Sequence, residues 1–371
     1  MKLAIVVKTM APYRTALYEE ISRELGSEDE VCLIGPELDA PDHDWTDLRP
    51  SEEFLSFRQV PSRFVESRLL ARFYRNQEKS LRIPLPSLAM SKALNAADPD
   101  VVWVHECSPF VLSAAGWAWK KGRELVFSSE LGQEGRSRLP APLRAVHGAV
   151  TRRAKLIIAH TRDTELMARE KGKEVVFAPH AIREPSPAGP RESKAPYTFL
   201  HAGSLIHRKG IDILLKAVRE LSGRGREFRL ILAGGKPDED YEAMAREFSI
   251  ADCVDFPGFV EGDALEQLYR DTDCFVLASR YDTYGAVTHE AASYGCALLI
   301  SRNAGSSQVL VEDGLNGWVI APDARDLAEK MREVMDGGLS AEAGEHSRML
   351  AKKFGVENNA KRVAEALKAL D

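Results

Sequence analysis

The chain has 371 residues, 44% of them hydrophobic and 29% charged, the balance of a globular protein with more chain than one core ordinarily serves, so two domains are expected. No apolar run approaches the roughly 20 residues of a membrane-spanning helix, and the opening MKLAIVVKTMAPYR lacks a signal-peptide core, so a cytoplasmic location is expected. The net charge of −6 conceals a net +4 over residues 62–82 and +7 over residues 135–162, which argues against general nucleic-acid binding and for a specific anionic surface or substrate.

In chain order, Lys2–Val7 reads as a short β-branched strand. A helical stretch near Arg14–Leu25 follows, with Leu17, Ile21 and Leu25 on one face. Strands are expected at Glu30–Ile34, Val101–His105, Glu124–Ser128, Lys155–His160 and Glu174–Phe177. Such continuous apolar runs, separated by helix-length segments, point to a buried parallel sheet. The stretch REPSPAGPRESKAP at 183–196 is rich in Pro, Ser and charge and reads as a linker. The rhythm then restarts with strand Tyr197–Ala202, helix Gly210–Leu221, strand Phe228–Ala233 and helix Tyr241–Phe248. After Val254–Phe256 come a helix near Ala264–Asp271, strand Cys274–Ala278, a helix over Ala286–Tyr294, strands at Ala297–Ser301 and Gly317–Ile320, and helices to the end. The expected fold is α/β, with two Rossmann-like doubly wound parallel-sheet domains at 1–185 and 195–354 and a cleft between them. A C-terminal helix at about 355–371 would pack back on the first domain. The five cysteines are scattered and unpaired in spacing, which fits small hydrophobes in a reduced chain. His105, His180, His201, His207 and His289 do not have the spacing of a metal set and read as hydrogen-bonded core or cleft residues, His207 and His289 being the two that could touch a bound ligand.

Two segments carry the chemistry. Gly203-Ser204-Leu-Ile-His-Arg208-Lys209-Gly210 lies between a strand and a helix, where backbone amides and cations hold anions; Lys209 supplies a point charge and Arg208 a planar fork. Ser279-Arg-Tyr-Asp282-Thr283-Tyr284-Gly285-Ala286-Val-Thr-His-Glu290 follows an apolar strand. Ligands bind at strand carboxyl ends in open α/β sheets. Asp282 and Glu290 are carboxylates able to hold sugar and ribose hydroxyls, and Gly285 permits close backbone approach. A third loop, Asn303-Ala-Gly-Ser-Ser, reads as a glycine–serine turn before a short helix. Glu312–Gly317 reads as a hairpin-type turn.

The ordered set G-S-L-x-x-R-K-G, D-x7-E ending E-A-A-x-x-G, N-A-G-S-S and G-x-N-G resembles the donor domain of family 4 retaining glycosyltransferases with the GT-B fold. The resemblance is close over residues 197–325 and looser in the first domain, through APYRTALYEEI and DPDVVWVH. It implies a hexosyltransferase moving a sugar from a nucleotide diphosphate sugar, with UDP-sugar favoured and GDP-mannose the other choice. The acceptor would be a lipid-linked or glycan acceptor of cell-envelope polysaccharide synthesis.

By that resemblance Lys209 and Arg208 hold the donor diphosphate, Glu290 the ribose and Asp282 the sugar. Tyr284, Gly285 and Ala286 offer backbone amides, Thr283 joins them, and Phe259 lies near the base. Gly203 and Ser204 complete the donor loop. Lys209, Arg208 and Asp282 are the expected catalytic groups, with no metal and no cofactor apart from the donor as substrate. Departures from the family pattern are Asp282 where Glu is usual, Ser204 where Arg is usual, and Glu130 where a histidine is usual. The acceptor side is assigned to Pro12, Tyr13, Arg14, His105 and Glu130. Arg68, Arg72, Arg75, Lys79 and Arg82 recur at helical spacing beside Val65, which predicts a basic amphipathic helix for an anionic membrane surface, peripheral on the inner face. Competing readings are a catalytically silent nucleotide-sugar-binding subunit and a GT-B epimerase or phosphorylase.

Overall fold

A computed structural model describes residues 1–8, 12–36, 55–67, 81–185, 196–222, 227–235, 237–339 and 342–370. The chain divides into two compact units, Met1–Arg183 with Val356–Asp371, and Glu184–Gly355. Both are Rossmann-like α/β units on parallel sheets.

In the first unit the strands are β1 (Lys2–Val6), β2 (Glu30–Pro36), β3 (Ser56–Val60), β4 (Phe64–Ser67), β5 (Leu81–Pro84), β6 (Val101–His105), β7 (Glu124–Ser129), β8 (Leu156–Ala159) and β9 (Glu174–Phe177). Seven of them form a sheet in the order β3-β2-β1-β6-β7-β8-β9, with parallel neighbours throughout. Alternation explains its two cores. Ala4, Val6, Val102, Val104, Leu125 and Phe127 bury against the helices of one face. Leu3, Ile5, Val101, Trp103 and Val126 bury on the other, because successive strand residues point to opposite sides. The helix Val356–Lys368 joins that second core through Ala360, Val363, Ala364 and Leu367. It is tied down by Asn359 Nδ2 donating to the Pro179 carbonyl at 2.7 Å.

β4 and β5 pair antiparallel, with Val65 opposite Ile83 and Glu66 opposite Arg82. This corrects the expected basic helix at both ends: Val65 and Arg82 lie in strands, in keeping with the β-branched residue types at 65 and 83 and the proline at 84 that ends the run. Arg68, Arg72, Arg75 and Lys79 lie outside the described residues.

In the second unit the strands are β10 (Tyr197–Ala202), β11 (Phe228–Ala233), β12 (Val254–Gly258), β13 (Cys274–Leu277), β14 (Ala297–Ser301) and β15 (Gly317–Ile320). Their order, β12-β11-β10-β13-β14-β15, is the doubly wound order in which the first and fourth strands are neighbours and the topology reverses between them. Helix Ile211–Ser222 buries Leu214, Leu215, Val218 and Leu221 at helical spacing against strand residues Phe199, Leu230 and Val276. β15 pairs parallel with β14, so the expected hairpin at Glu312–Gly317 is corrected. The segment is a turn with Gly314 at φ +77° and a fully buried Asn316 bonded to the Leu310 carbonyl at 2.8 Å. A Gly-x-Asn-Gly turn has the residues of a hairpin, but here the sheet order decides the direction in which the next strand runs.

Candidate functional site

The reversal in the second unit falls between β10 and β13, so the loops after these strands sit side by side at the carboxyl edge. After β10, Gly203 adopts φ +135°, and its carbonyl lies so close to Gly234 that a Cβ there would meet it at 1.8 Å. A 3₁₀ turn, His207–Lys209, follows and closes on Gly210 at φ +75°. A Cβ on Gly210 would stand 2.1 Å from the Ala278 carbonyl oxygen, so the backbones after the two strands approach at a distance only glycine allows.

Three cations in and beside that turn are then divided by partner. The Lys209 ammonium pairs directly with the Asp282 carboxylate, joining across 73 residues two groups assigned to one donor. Arg208 donates to the Tyr281 carbonyl at 3.0 Å and accepts at its own carbonyl from the Arg280 amide at 2.9 Å. Arg280 forks onto Asp212 at 2.6 and 2.8 Å and also donates to the His207 carbonyl at 2.8 Å. Burial pushes the Asp212 carboxyl up, but the bonds and charges of Arg280 and Lys216 outweigh it and bring it down to about 2. Arg280 and Asp212 therefore lace the two loops together, and neither carried a role in the sequence. Their only signal there was a cation beside Asp282 and an acid in the first turn of the next helix.

Asp282 is buried, and its amide donates to the Asn303 carbonyl at 2.9 Å, which brings the glycine–serine loop after β14 to the same edge. Gly285, at φ +86°, has Leu277 at 2.8 Å from where a Cβ would lie; with Ala286 it opens the short helix Val287–Ser293. Tyr284 is buried and Thr283 half-buried. Glu290 accepts from the Tyr269 hydroxyl at 2.8 Å, and burial raises its carboxyl above the ordinary value. Phe259 is exposed just past β12, while Ser204 is exposed after β10. His201 is a further polar group at this edge. Its Nδ1–H donates to the Val276 carbonyl at 3.1 Å, so the buried Nε2 is the bare acceptor. Burial and the Lys209 charge lower this imidazole to about 4. His289 turns away from the edge and bonds the Ala351 carbonyl at 3.0 Å, a packing role.

The first unit has a second polar cluster. β1 and β6 are neighbours in its sheet; His105 ends β6 and Glu106 follows it, while Pro12, Tyr13 and Arg14 open the helix Pro12–Leu25 after β1. Glu130, just past β7, accepts from Arg14 at 2.8 Å and from His180 at 2.6 Å. Burial pushes its carboxyl up, yet the charges and bonds of His180 and Arg14 hold it well below the ordinary range. Tyr13 meets His180 edge-on at 4.8 Å, and His160 stacks on His180 at 4.3 Å.

The tautomer of His105 follows from its neighbours. The Trp103 indole can only donate, and it does so to Ser128 Oγ at 2.8 Å. Ser128 Oγ also bonds His105 Nδ1 at 2.8 Å; with the hydroxyl as donor there, the ring proton sits on Nε2, the nitrogen that faces the Glu130 carboxylate. That Nε2–H is buried with no hydrogen-bond partner among the described residues and faces Glu130 Oε1 at 4.0 Å. Burial keeps the ring neutral, well below its ordinary value. Glu106, in the left-handed region at φ +55°, accepts from Ser129 Oγ at 2.9 Å and from the Glu130 amide. Burial and the Glu130 charge raise it to about 7. His160, His180 and Glu106 were not among the residues assigned to this cluster, because nothing in their spacing links positions 50 residues apart.

Residues 183–353 match the model of the family described as Glycosyl transferases group 1. An uncharacterized glycosyltransferase of Methanocaldococcus jannaschii is 30% identical over 131 residues, 35% of this chain and 33% of that relative; the aligned stretch spans about a third of the curated relatives it matches. Over the whole chain the structure is similar to a lipopolysaccharide outer core galactosyltransferase, with a TM-score of 0.72 at 17% identity and 100% of both chains covered. It is also similar to an Anabaena protein crystallised with UDP-glucose, with a TM-score of 0.68, 17% identity and 100% of both chains covered. The fold is that of the GT-B glycosyltransferases.

Proposed function

We propose that the protein is a retaining glycosyltransferase that moves a hexose from a nucleotide diphosphate sugar, a UDP-sugar in preference to GDP-mannose, to a lipid-linked or glycan acceptor of envelope polysaccharide synthesis. The observation that carries it is the meeting of Lys209 and Asp282 at the switch point of the second unit, within the stretch that matches the group 1 model. The relatives and structural neighbours that bear the names of sugar transferases or hold UDP-glucose support the same reading.

In this reading Lys209 and Arg208 neutralise the diphosphate as the bond from the sugar's C1 to the leaving oxygen breaks. An acceptor hydroxyl bonds to C1 on the same face, its proton passes to the leaving phosphate, and the nucleoside diphosphate departs. Fixed cations aimed at the developing charge supply the stabilisation, so no metal is required. Asp282 exchanges its ammonium partner for sugar hydroxyls, and Glu290 holds the ribose. Acceptor recognition belongs to the first unit. There the neutral His105 Nε2–H and the ionised Glu130 form a donor and acceptor 4.0 Å apart, which one sugar hydroxyl can bridge. The basic stretch of residues 68–82 favours attachment to an anionic inner-leaflet surface; no described helix is long and apolar enough to cross a membrane.

The test is a thermal-shift panel of UDP-, GDP- and ADP-sugars with and without EDTA, followed by assay for free sugar and nucleoside diphosphate. Stabilisation by one donor and its slow, EDTA-resistant hydrolysis are expected. Binding without turnover would favour the silent subunit, and conversion of the sugar without release of nucleotide would favour an epimerase.

A further inference from the structure

The cations of the second basic stretch, residues 135–162, take no part in either site. Most of it forms the short helix Gln133–Ser137 and the helix Ala141–Arg153. Arg144, Gly148 and Arg152 are four residues apart and share one face of the longer helix. Arg136 reaches over this face from the shorter one. A Cβ on Gly148 would stand 3.2 Å from one Arg136 terminal nitrogen and 3.7 Å from one of Arg152, so the two guanidinium groups come within about 7 Å of each other over bare backbone. Arg136 is anchored by one nitrogen to Met167 Sδ at 3.2 Å, and its buried Nε has no hydrogen-bond partner among the described residues. Lys171, just past the helix Arg162–Glu170, is lowered by burial and by the charges of Arg136 and Arg152, and Arg136 by burial and by the charges of Arg144 and Arg152.

No carboxylate among the described residues pairs with Arg136, Arg144, Arg152 or Lys171. Glu170 is the acid felt by Lys171, as its sequence neighbour. His147 and Cys107, which also feel the Arg136 charge, are neutral at physiological pH. Burial and the nearby cations hold His147 down to about 3, and burial keeps the Cys107 thiol far up. Like charges gathered without a counterion repel, and a bound anion removes that repulsion.

We propose that Arg136, Arg144 and Arg152, set around Gly148 with Lys171 at the edge, form a binding site for a phosphoryl group on the first unit. Three planar forks and an ammonium match the several oxygens and double charge of a phosphate monoester or diphosphate better than one carboxylate. The absent side chain of Gly148 leaves space between the forks for charge-assisted bonds of about 2.8 Å. The phosphoryl group comes either from a free phosphorylated ligand or from a phosphomonoester lipid headgroup. The site does not depend on the transferase reading.

The full chain carrying Lys209→Ala, which weakens phosphate binding in the second unit, is titrated calorimetrically with inorganic pyrophosphate. It is also floated with phosphatidylcholine vesicles with and without phosphatidic acid. In that background, Arg144→Gln with Arg152→Gln should weaken binding about tenfold or more, the scale of losing charged hydrogen bonds. Lys120→Gln with Lys121→Gln removes the same charge from exposed positions of the same unit and should change binding less than about twofold. Selective loss of pyrophosphate binding supports the site and assigns it a free ligand; selective loss of vesicle binding supports it and assigns a headgroup. Equal loss in both double variants, or no binding of either probe before the arginines are changed, overturns the proposal.

Discussion

Arg280 and Asp212 should behave as one energetic unit. The Asp212 carboxylate accepts two bonds from Arg280 and one from Lys216 at 3.1 Å, and its fall from 3.8 to about 2 corresponds to roughly 2.5 kcal/mol in favour of the ionised, folded form. Arg280 supplies the larger part, but its side chain is 34% exposed, so solvent screening discounts its share to about 1–2 kcal/mol. The sign follows from linkage. A depressed carboxyl stabilises the fold above its ordinary value, and that contribution is lost as pH falls from about 3.8 through about 2. Urea unfolding of Arg280→Gln, Asp212→Asn and the double variant at pH 7 should give a coupling of about 1–2 kcal/mol. Arg280→Gln should also flatten the acid limb of stability. Because this pair holds the loops of Lys209 and Asp282 together, Arg280→Gln should weaken nucleotide-sugar binding too. Additive costs, with coupling below about 0.3 kcal/mol and an unchanged acid limb, would refute the reasoning.

Lys209→Ala should cut sugar transfer by roughly 10²–10³, the scale of one key charge-stabilising contact; near-normal turnover with the assigned donor would remove Lys209 from the site. Glu106→Gln should alter stability in the opposite sense to Asp212. A carboxyl raised from 4.5 to about 7 favours the unfolded chain as pH rises through that window, a loss of about 3 kcal/mol. Melts from pH 4 to 8 should show this decline in the parent and not in the variant, and parallel curves would contradict it. Gly210→Ala places a methyl group 2.1 Å from a carbonyl oxygen at φ +75° and should cost about 3 kcal/mol or more. Gly122→Ala, at φ +67° with nothing within 4 Å, should cost only about 1 kcal/mol. Chemical denaturation of both variants separates close approach from backbone strain, and equal losses would deny the close approach.

The strands of both central sheets were legible because parallel strands buried on both faces are written as continuous apolar runs, as in VVWVH and CFVLA. β3, Ser56–Val60, was not, since an edge strand with the burial of SFRQV carries no such run. The two loops at the carboxyl edge of the second unit stood out because glycines and cations between a strand and a helix carry local chemistry. The pairing of Lys209 with Asp282, of Asp212 with Arg280 and of Glu130 with Arg14 and His180 joins residues 50–116 positions apart. Their partners depend on which strands become neighbours.

The sequence by itself determined the βα rhythm, the two-sheet architecture and which loops carry glycines beside cations and carboxylates, because each follows from periodicity or local composition. Only the tertiary structure decided that β10 lies beside β13 and β1 beside β6. That order gathers the loops at one edge, turns a Gly-x-Asn-Gly segment into the entry of a parallel strand, and leaves a histidine Nε2–H facing a buried carboxylate. Strand order comes from long-range packing, to which no short stretch of chain is sensitive.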